Sequence, residues 1–194
     1  MDKISLSAKL RELEEPANIK TKLEQYPTDI STAVEFISFV DSTLGFKDKN
    51  IADFGCGKGT LGIGAALLGA ASVDMYDIDG SMVLLSKRNC KKMGLSNCKI
   101  YKKDVFDVDK VYDIIISNPP FGFQSTFDIE AFISKLKKVG KSFFFIYKLN
   151  QRICDIAGEN SLLTEYLGSM ALPKCTFFHR REKITIPVCV VYKV

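Results

Sequence analysis

The residues with the clearest chemical potential lie in the segment Ser117-Asn118-Pro119-Pro120-Phe121-Gly122, which follows the apolar run 111–116. Two consecutive prolines end a β-strand and hold the following loop rigid, because proline lacks an N–H group and has a fixed φ. The Asn118 side chain supplies one carbonyl acceptor, and the main chain of Pro119 supplies a second. Two acceptors that converge on one point can hold both hydrogens of an amino group.

The exocyclic amino group of a purine fits two such acceptors. Its lone pair is delocalised into the ring, so it is a poor nucleophile until both hydrogens are held. Such alignment requires no general base and can lower a reaction barrier by ~7–11 kcal/mol. Phe121 can then stack on the base, an interaction worth roughly 1–3 kcal/mol. The alternative is an ordinary Pro-Pro turn in which Asn118 acts as a cap.

A second motif lies upstream, where the predicted strand 50–54 leads into three alternating glycines and then a helix. Gly55, Gly57 and Gly59 permit positive φ and a close approach of a ligand to the backbone, and the helix offers free N–H groups. The dinucleotide fingerprint G-x-G-x-x-G would place its third glycine at Thr60. The observed spacing G-x-G-x-G therefore favours an adenosine ligand without a pyrophosphate.

Acidic residues follow the next two predicted strands. Asp77 lies 22 positions after Gly55, about where an open α/β sheet places a carboxylate that binds both ribose hydroxyls. Asp79 is better explained as the N-cap of the following helix. Asp104 can accept from an adenine amino group while Val105 offers its backbone N–H group, although a surface charge beside two lysines explains Asp104 equally well.

Composition limits the class of protein. The 194 residues, of which 46% are hydrophobic and 26% charged, predict one domain, 1–194, with an N-terminal helical extension over about 1–45. No apolar run reaches the ~18 residues of a membrane span, and no signal sequence is evident, so we expect a cytoplasmic protein. Six cysteines without a C-x-x-C pair and a single histidine predict reduced core cysteines and no metal site.

The hydrophobic pattern predicts alternating strands and helices, with every candidate loop at the carboxyl end of a strand, where open α/β sheets bind ligands. Segment 25–28 is interpreted from its spacing as a lead-in to a helix capped by Thr28 or Asp29. Pro187 predicts a bulge or an exposed edge in the last strand. The basic segment 177–183 is explained equally well by a solvated turn and by a nucleic-acid contact. The predicted strands are 50–54, 72–79, 98–101, 111–116, 142–147, 162–172 and 184–192, and the predicted helices include 1–15, 128–138 and 151–158.

Together these motifs resemble the class I S-adenosylmethionine (SAM)-dependent methyltransferases of the amino-N type. The resemblance extends over nearly the whole chain to the methyltransferase-like protein five family, whose members methylate N6 of adenine in small-subunit ribosomal RNA. The matching segments are 25–28, 53–59, 68–70, 77–79, 104–105, 118–122, 172–173 and 178–179.

This resemblance implies a class I Rossmann-like α/β fold: a seven-stranded, mostly parallel sheet with the last strand antiparallel and helices on both faces. It also implies SAM as cofactor, RNA as substrate and a small zinc-binding activator protein as partner. Lys58 and Thr60 differ from the usual residues of the family, so we expect contacts there through the backbone only. By position, the cofactor-binding residues would be Gln25, Thr28, Asp53, Gly55, Lys58, Thr60, Asp77, Asp104 and Val105, and the catalytic residues that hold the adenine would be Asn118, Pro119, Pro120 and Phe121.

Two other functions stay open. Methylation of a glutamine amide on a translation factor requires the same two acceptors, although such enzymes more often carry Tyr where this chain has Phe121 and have a larger N-terminal recognition domain. A SAM-binding assembly factor for RNA would need no turnover, and the intact loop at Asn118 argues against it.

Overall fold

The computed structural model describes residues 1–20, 23–123, 126–173 and 183–194, and a seven-stranded sheet forms its centre. The strands are β1 (Asn50–Phe54), β2 (Ser72–Asp77), β3 (Cys98–Lys102), β4 (Tyr112–Ser117), β5 (Gly140–Lys148), β6 (Leu163–Pro173) and β7 (Lys183–Lys193). Their order across the sheet is β3-β2-β1-β4-β5-β7-β6. β7 runs antiparallel to β5 and β6, and the other pairs are parallel. The expected class I architecture is confirmed.

Helices flank the sheet, and five of the six in the described part of the chain begin at a side-chain cap. The first ends four residues before Glu15, earlier than predicted, although Leu13 beyond its end is still buried. Asp29, rather than Thr28, caps the second helix by accepting from the Thr32 N–H group. The helices are α1 (Lys3–Arg11), α2 (Ile30–Leu44), α3 (Thr60–Leu67), α4 (Gly80–Lys92), α5 (Ile129–Val139) and α6 (Gln151–Glu159).

The central strands β4 and β5 are apolar on both faces because helices cover both sides of a parallel sheet. Ile114, Ile115 and Ile116 are fully buried, as is the run Phe143–Ile146. None of the helices in the described part of the chain is long and apolar enough to cross a membrane. The five described cysteines are free thiols, and Cys175 lies outside the described residues.

The long hairpin of β6 and β7 extends past the end of β5. The ladder between β5 and β7 stops at Lys148 and Val188, and Pro187 is the next residue, paired with Ser169 of β6. Proline is tolerated there because no neighbour on the β5 side requires its N–H group. The register shift lies in β6, between Tyr166 and Gly168. Of the basic segment 177–183, residues 177–182 lie outside the described part.

Helix α3 packs tightly against β1 and β2 at Gly62. The Gly62 N–H group donates to Oδ2 of Asp53 at 2.8 Å. A methyl group on Gly62 would lie 2.8 Å from Cε of Met75 and 3.0 Å from that same Asp53 oxygen. Glycine at this position is therefore a condition for the packing of the helix.

We expect Gly62→Ala to lower the free energy of unfolding by about 1–3 kcal/mol, because overpacking a closed core costs about that much. Gly158→Ala is the matched control, since it is also helical but a methyl group there meets nothing within 4 Å. That change should raise stability by roughly 0.5–1 kcal/mol. Urea denaturation of the two variants measures both effects, and an equal response would contradict the packing argument.

Candidate active site

The loops after β1, β2, β3 and β4 surround a cavity of about 460 Å³ at the carboxyl edge of the sheet. Residues 23–27 and 126–128 close its other sides. This is where open α/β sheets bind ligands. Nine of the thirteen predicted cofactor-binding and catalytic residues line this cavity: Gln25, Gly55, Lys58, Asp77, Asp104, Val105, Asn118, Pro119 and Pro120.

The glycine turn forms one wall of the cavity and is tied to the end of β2. Gly55, Gly57 and Gly59 have φ angles of 71°, 54° and 91°, a region that residues with a Cβ atom seldom occupy. The Gly57 N–H group donates to Oδ2 of Asp77 at 2.8 Å. The sharp turn thus exposes backbone to the cavity, as its spacing predicted.

Asp77 is held rigidly on the cavity wall. Its Oδ1 accepts from the Asp79 N–H group at 2.9 Å, and its Oδ2 accepts from Gly57. Burial raises the pKa of this carboxyl group, while the two backbone hydrogen bonds oppose the shift. Each carboxylate oxygen has a second lone pair, so Asp77 can also accept from a pair of ligand hydroxyls.

Asp79 is the N-cap of α4, as predicted, since its Oδ1 accepts from the Ser81 N–H group at 3.0 Å. The same carboxylate accepts from Lys20 Nζ at 2.9 Å and from Nε2 of Gln25 at 2.8 Å. Gln25 therefore lines the cavity with a side chain whose amide already joins two loops. Its contact with a cofactor stays a prediction.

Lys58 lines the cavity, yet its side chain is only 5% exposed and forms an ion pair with Glu15. Its carbonyl oxygen accepts from Asn89 Nδ2 at 2.9 Å. The charge of Lys58 is thus directed toward the N-terminal segment. The expectation of a backbone contact with a cofactor stays a prediction.

Asp53 and Thr60 do not line the cavity. Both are buried behind the glycine turn, where Asp53 is 1% exposed and accepts from Gly62 through Oδ2. Its Oδ1 is buried without a hydrogen-bond partner in the described part of the structure. The hydrogen bond from Gly62 ties Asp53 to α3, and direct contact with a cofactor stays a prediction for both residues.

Asn118 has a defined side-chain orientation. Its Nδ2 donates to Oγ1 of Thr28 at 2.8 Å, and Thr28 is 8% exposed. The opposite end of the amide, Oδ1, is buried and has no hydrogen-bond partner among the described residues. Thr28 itself is not part of the cavity lining, so the structure records it as a support of Asn118. The amide therefore presents an unused acceptor.

Phe121 points away from this cavity and lines a neighbouring one. It is 3% exposed and packs edge-on against Tyr147, with ring centroids 5.4 Å apart. Its N–H group donates to Oε2 of Glu24 at 2.8 Å. Stacking of Phe121 on a substrate base stays a prediction.

Several residues of the cavity were not found from the sequence, among them Ile78, Phe106 and Glu24. Ile78 and Phe106 line it with apolar side chains that are 55% and 42% exposed. Apolar residues directly after the strand-end acids were the available signal for both. Glu24 lines the cavity from a left-handed backbone conformation, with φ of 48°, and no sequence pattern marks that conformation in a residue other than glycine.

Burial raises the pKa of Asp53 to about 7, with the negative charge of Asp77 acting in the same direction and the Gly62 hydrogen bond opposing both. Between about pH 4 and 7 the unfolded chain therefore loses a proton that the folded chain keeps. We expect the free energy of unfolding to fall as pH rises through this window, by up to about 1.4 kcal/mol per pH unit. Asp53→Asn should make the free energy of unfolding less dependent on pH in this range. Urea denaturation of both proteins from pH 4 to 8 tests this expectation, and the same pH dependence in both would contradict it.

Comparison with known proteins identifies the family of this chain and several of its relatives. Residues 27–142 match the family model of the methyltransferase small domain. The rRNA N(6)-adenosine-methyltransferase of Caenorhabditis elegans is 28% identical, with 94% of this chain and 93% of the relative covered. The rRNA N(6)-adenosine-methyltransferase of Danio rerio is 29% identical, with coverages of 90% and 88%.

A solved structure agrees with these relatives. A Pyrococcus horikoshii protein, named as a candidate RNA methyltransferase, superposes with a TM-score of 0.87 at 28% identity, with 99% of this chain and 97% of that chain covered. The resemblance to rRNA N6-adenosine methyltransferases is confirmed. This chain belongs to the methyltransferase small domain family.

Proposed function

We propose that this protein transfers the methyl group of S-adenosyl-L-methionine to the N6 amino group of an adenosine in RNA, specifically in small-subunit ribosomal RNA. Relatives named as rRNA N6-adenosine methyltransferases cover nearly the whole chain. The observation that carries the proposal is the orientation of Asn118, whose buried Oδ1 is an acceptor without a partner in the described structure.

The residues of the cavity suit SAM. The two oxygens of Asp77 would accept from the ribose hydroxyls, and Asp104 with the Val105 backbone would pair with the adenine edge. Ile78 and Phe106 supply the apolar surface that a purine ring requires. The backbone of the glycine turn would lie against the rest of the molecule. When bound, SAM supplies an electrophilic methyl group, which the amine lone pair takes as the bond from that methyl to sulfur breaks.

Asn118 and Pro119 would align the amine for this transfer. Oδ1 of Asn118 accepts one N6 hydrogen and the Pro119 carbonyl accepts the other, which turns the nitrogen lone pair out of conjugation. Positive charge develops on the nitrogen during the transfer, and two carbonyl dipoles fixed in advance stabilise it. One N6 proton then leaves to water, so no general base is required. Pro120 keeps the loop rigid, because its ring fixes φ.

A partner and a location complete the proposal. From the family resemblance we propose a small zinc-binding activator protein as partner and the cytoplasm as location. Such a partner would use an exposed apolar patch or an unpaired strand edge, and β3 and β6 are the two edges of the sheet. On β6, Leu163 and Tyr166 are 54% and 62% exposed, and on β3, Tyr101 is 39% exposed.

We expect Asn118→Ala to reduce methyl transfer roughly 100-fold or more, because alignment of the amine is lost, while the Kd for SAM stays within a few-fold. Transfer of tritiated methyl groups to total RNA and to total protein, with SAM binding measured by calorimetry, tests this. Full activity in the variant would contradict the proposed mechanism. Label in protein rather than RNA would favour glutamine methylation, and no label in either would favour an assembly factor without turnover.

Thr28→Val should lower kcat about tenfold, since one hydrogen bond that orients Asn118 is removed without a change of shape. The Kd for SAM should stay within about twofold, because Thr28 does not line the cavity. Thr28→Ser retains the hydroxyl group and should keep most of the activity. If Thr28→Val instead weakened SAM binding at unchanged kcat, Thr28 would be a cofactor ligand and the support role would be wrong.

A further inference from the structure

A second cavity, of about 550 Å³, adjoins the cavity of the proposed active site. Residues 126–128 form a wall of both. The catalytic loop also contributes to both: residues 118–120 line the first cavity, whereas Phe121 and Gly122 line the second. A substrate strand that delivers a base to Asn118 therefore has this second cavity directly beside it.

Two cations line the second cavity, Lys148 at the end of β5 and Arg152 in the first turn of α6. Neither forms an ion pair within the described residues. Burial lowers the pKa of Lys148, Glu24 opposes the shift, and the charge of Arg152 adds to it. Two positive charges that face the same partly enclosed space repel each other, which makes the charged form of each less favourable. An anion bound between them would offset this repulsion.

Asp128 and Glu130 also line this cavity, and among the described residues neither forms an ion pair with Lys148 or Arg152. Asp128 is the N-cap of α5, and its Oδ1 accepts from the backbone N–H groups of Glu130 and Ala131 at 3.0 Å. Glu130 is exposed to solvent. The N-terminus of α6, capped by Asn150, adds its partial positive charge to the same cavity. Lys148, Arg152 and this helix N-terminus can therefore all face an anionic ligand in the cavity.

An exposed aromatic ring lies beside these cations. Phe123 is 47% exposed, and Nζ of Lys148 lies 4.4 Å from the centroid of its ring. The ring packs edge-on against Phe121, with centroids 6.1 Å apart, and so stays joined to the catalytic loop. An exposed aromatic beside cations is the arrangement with which proteins bind single-stranded nucleic acid, since bases stack and phosphates pair.

We propose that the second cavity binds the nucleotide next to the target adenosine, with its phosphate held by Lys148 and Arg152 and its base stacked on Phe123. The inference rests on the proposed function and adds the residues that hold the RNA strand. Its volume lies within the range of sites that enclose a small ligand. Because the phosphate is common to all nucleotides, Lys148 and Arg152 would anchor the strand without reading its sequence.

The test is the kinetics of methyl transfer to small-subunit rRNA prepared from cells that lack this protein. Lys148→Ala and Arg152→Ala should each raise KM for this RNA about tenfold and leave kcat and the Kd for SAM within about twofold. Each should also make the salt dependence of kcat/KM shallower by about 0.7 in logarithmic slope, for one lost phosphate contact. Phe123→Ala should raise KM about tenfold without changing that slope, because no charge is lost.

Lys141→Ala is the matched control. Lys141 lies near the amino end of β5, at the end of the strand opposite Lys148. It forms an ion pair with Asp113 at 2.7 Å. Its removal changes the net charge equally and should leave KM unchanged. Lys148→Arg keeps the charge and should retain a KM close to that of the unaltered protein.

The outcomes separate the two claims. If the unaltered protein methylates the RNA but Lys148→Ala and Arg152→Ala behave like Lys141→Ala, the second cavity is not an RNA site and the proposed function stands. A fall in kcat at unchanged KM would also overturn the inference, since it indicates a disturbed catalytic loop. If the unaltered protein labels no RNA, the proposed function fails and the inference fails with it.

Discussion

The hydrogen bond from Asn118 to Thr28 is the interaction on which the site depends. It joins residues 90 positions apart in the sequence and engages the NH₂ group of the amide. With the NH₂ group engaged, the carbonyl oxygen becomes the available acceptor, buried among groups that do not pair with it in the described structure. A buried acceptor left unpaired costs about 1–3 kcal/mol, and a substrate amine would recover that cost on binding.

The segment ahead of α2 has a larger structural role than its irregular backbone suggests. Through Thr28 it orients Asn118, through Glu24 it holds the N–H group of Phe121, and through Gln25 it joins the loop after β2. Two loops of the sheet, those after β4 and β2, are thus fixed by one short stretch of chain. The loop after β2, on the proposed cofactor side, and the catalytic loop after β4 are therefore coupled, because the same stretch contacts both.

Sequence reasoning located the parts of the site that follow from strand ends. Asp77, Asp104 and Asn118 come together because the carboxyl ends of parallel strands meet at one edge, and the cap at Asp79 followed from local chemistry alone. Tertiary packing decided the rest. Asp53 lies behind the turn because α3 closes over it, and Phe121 turns toward Tyr147, a residue 26 positions further along the chain. The spacing of hydrophobic residues along the sequence does not predict such contacts.

The most direct measurement is a crystal structure of the protein with S-adenosylhomocysteine and adenosine. We expect the exocyclic nitrogen of adenosine to lie within hydrogen-bond distance of both Oδ1 of Asn118 and the carbonyl oxygen of Pro119, with Nδ2 still bonded to Thr28. An amide turned so that its NH₂ group faces the adenosine, or an exocyclic nitrogen far from both acceptors, would contradict it.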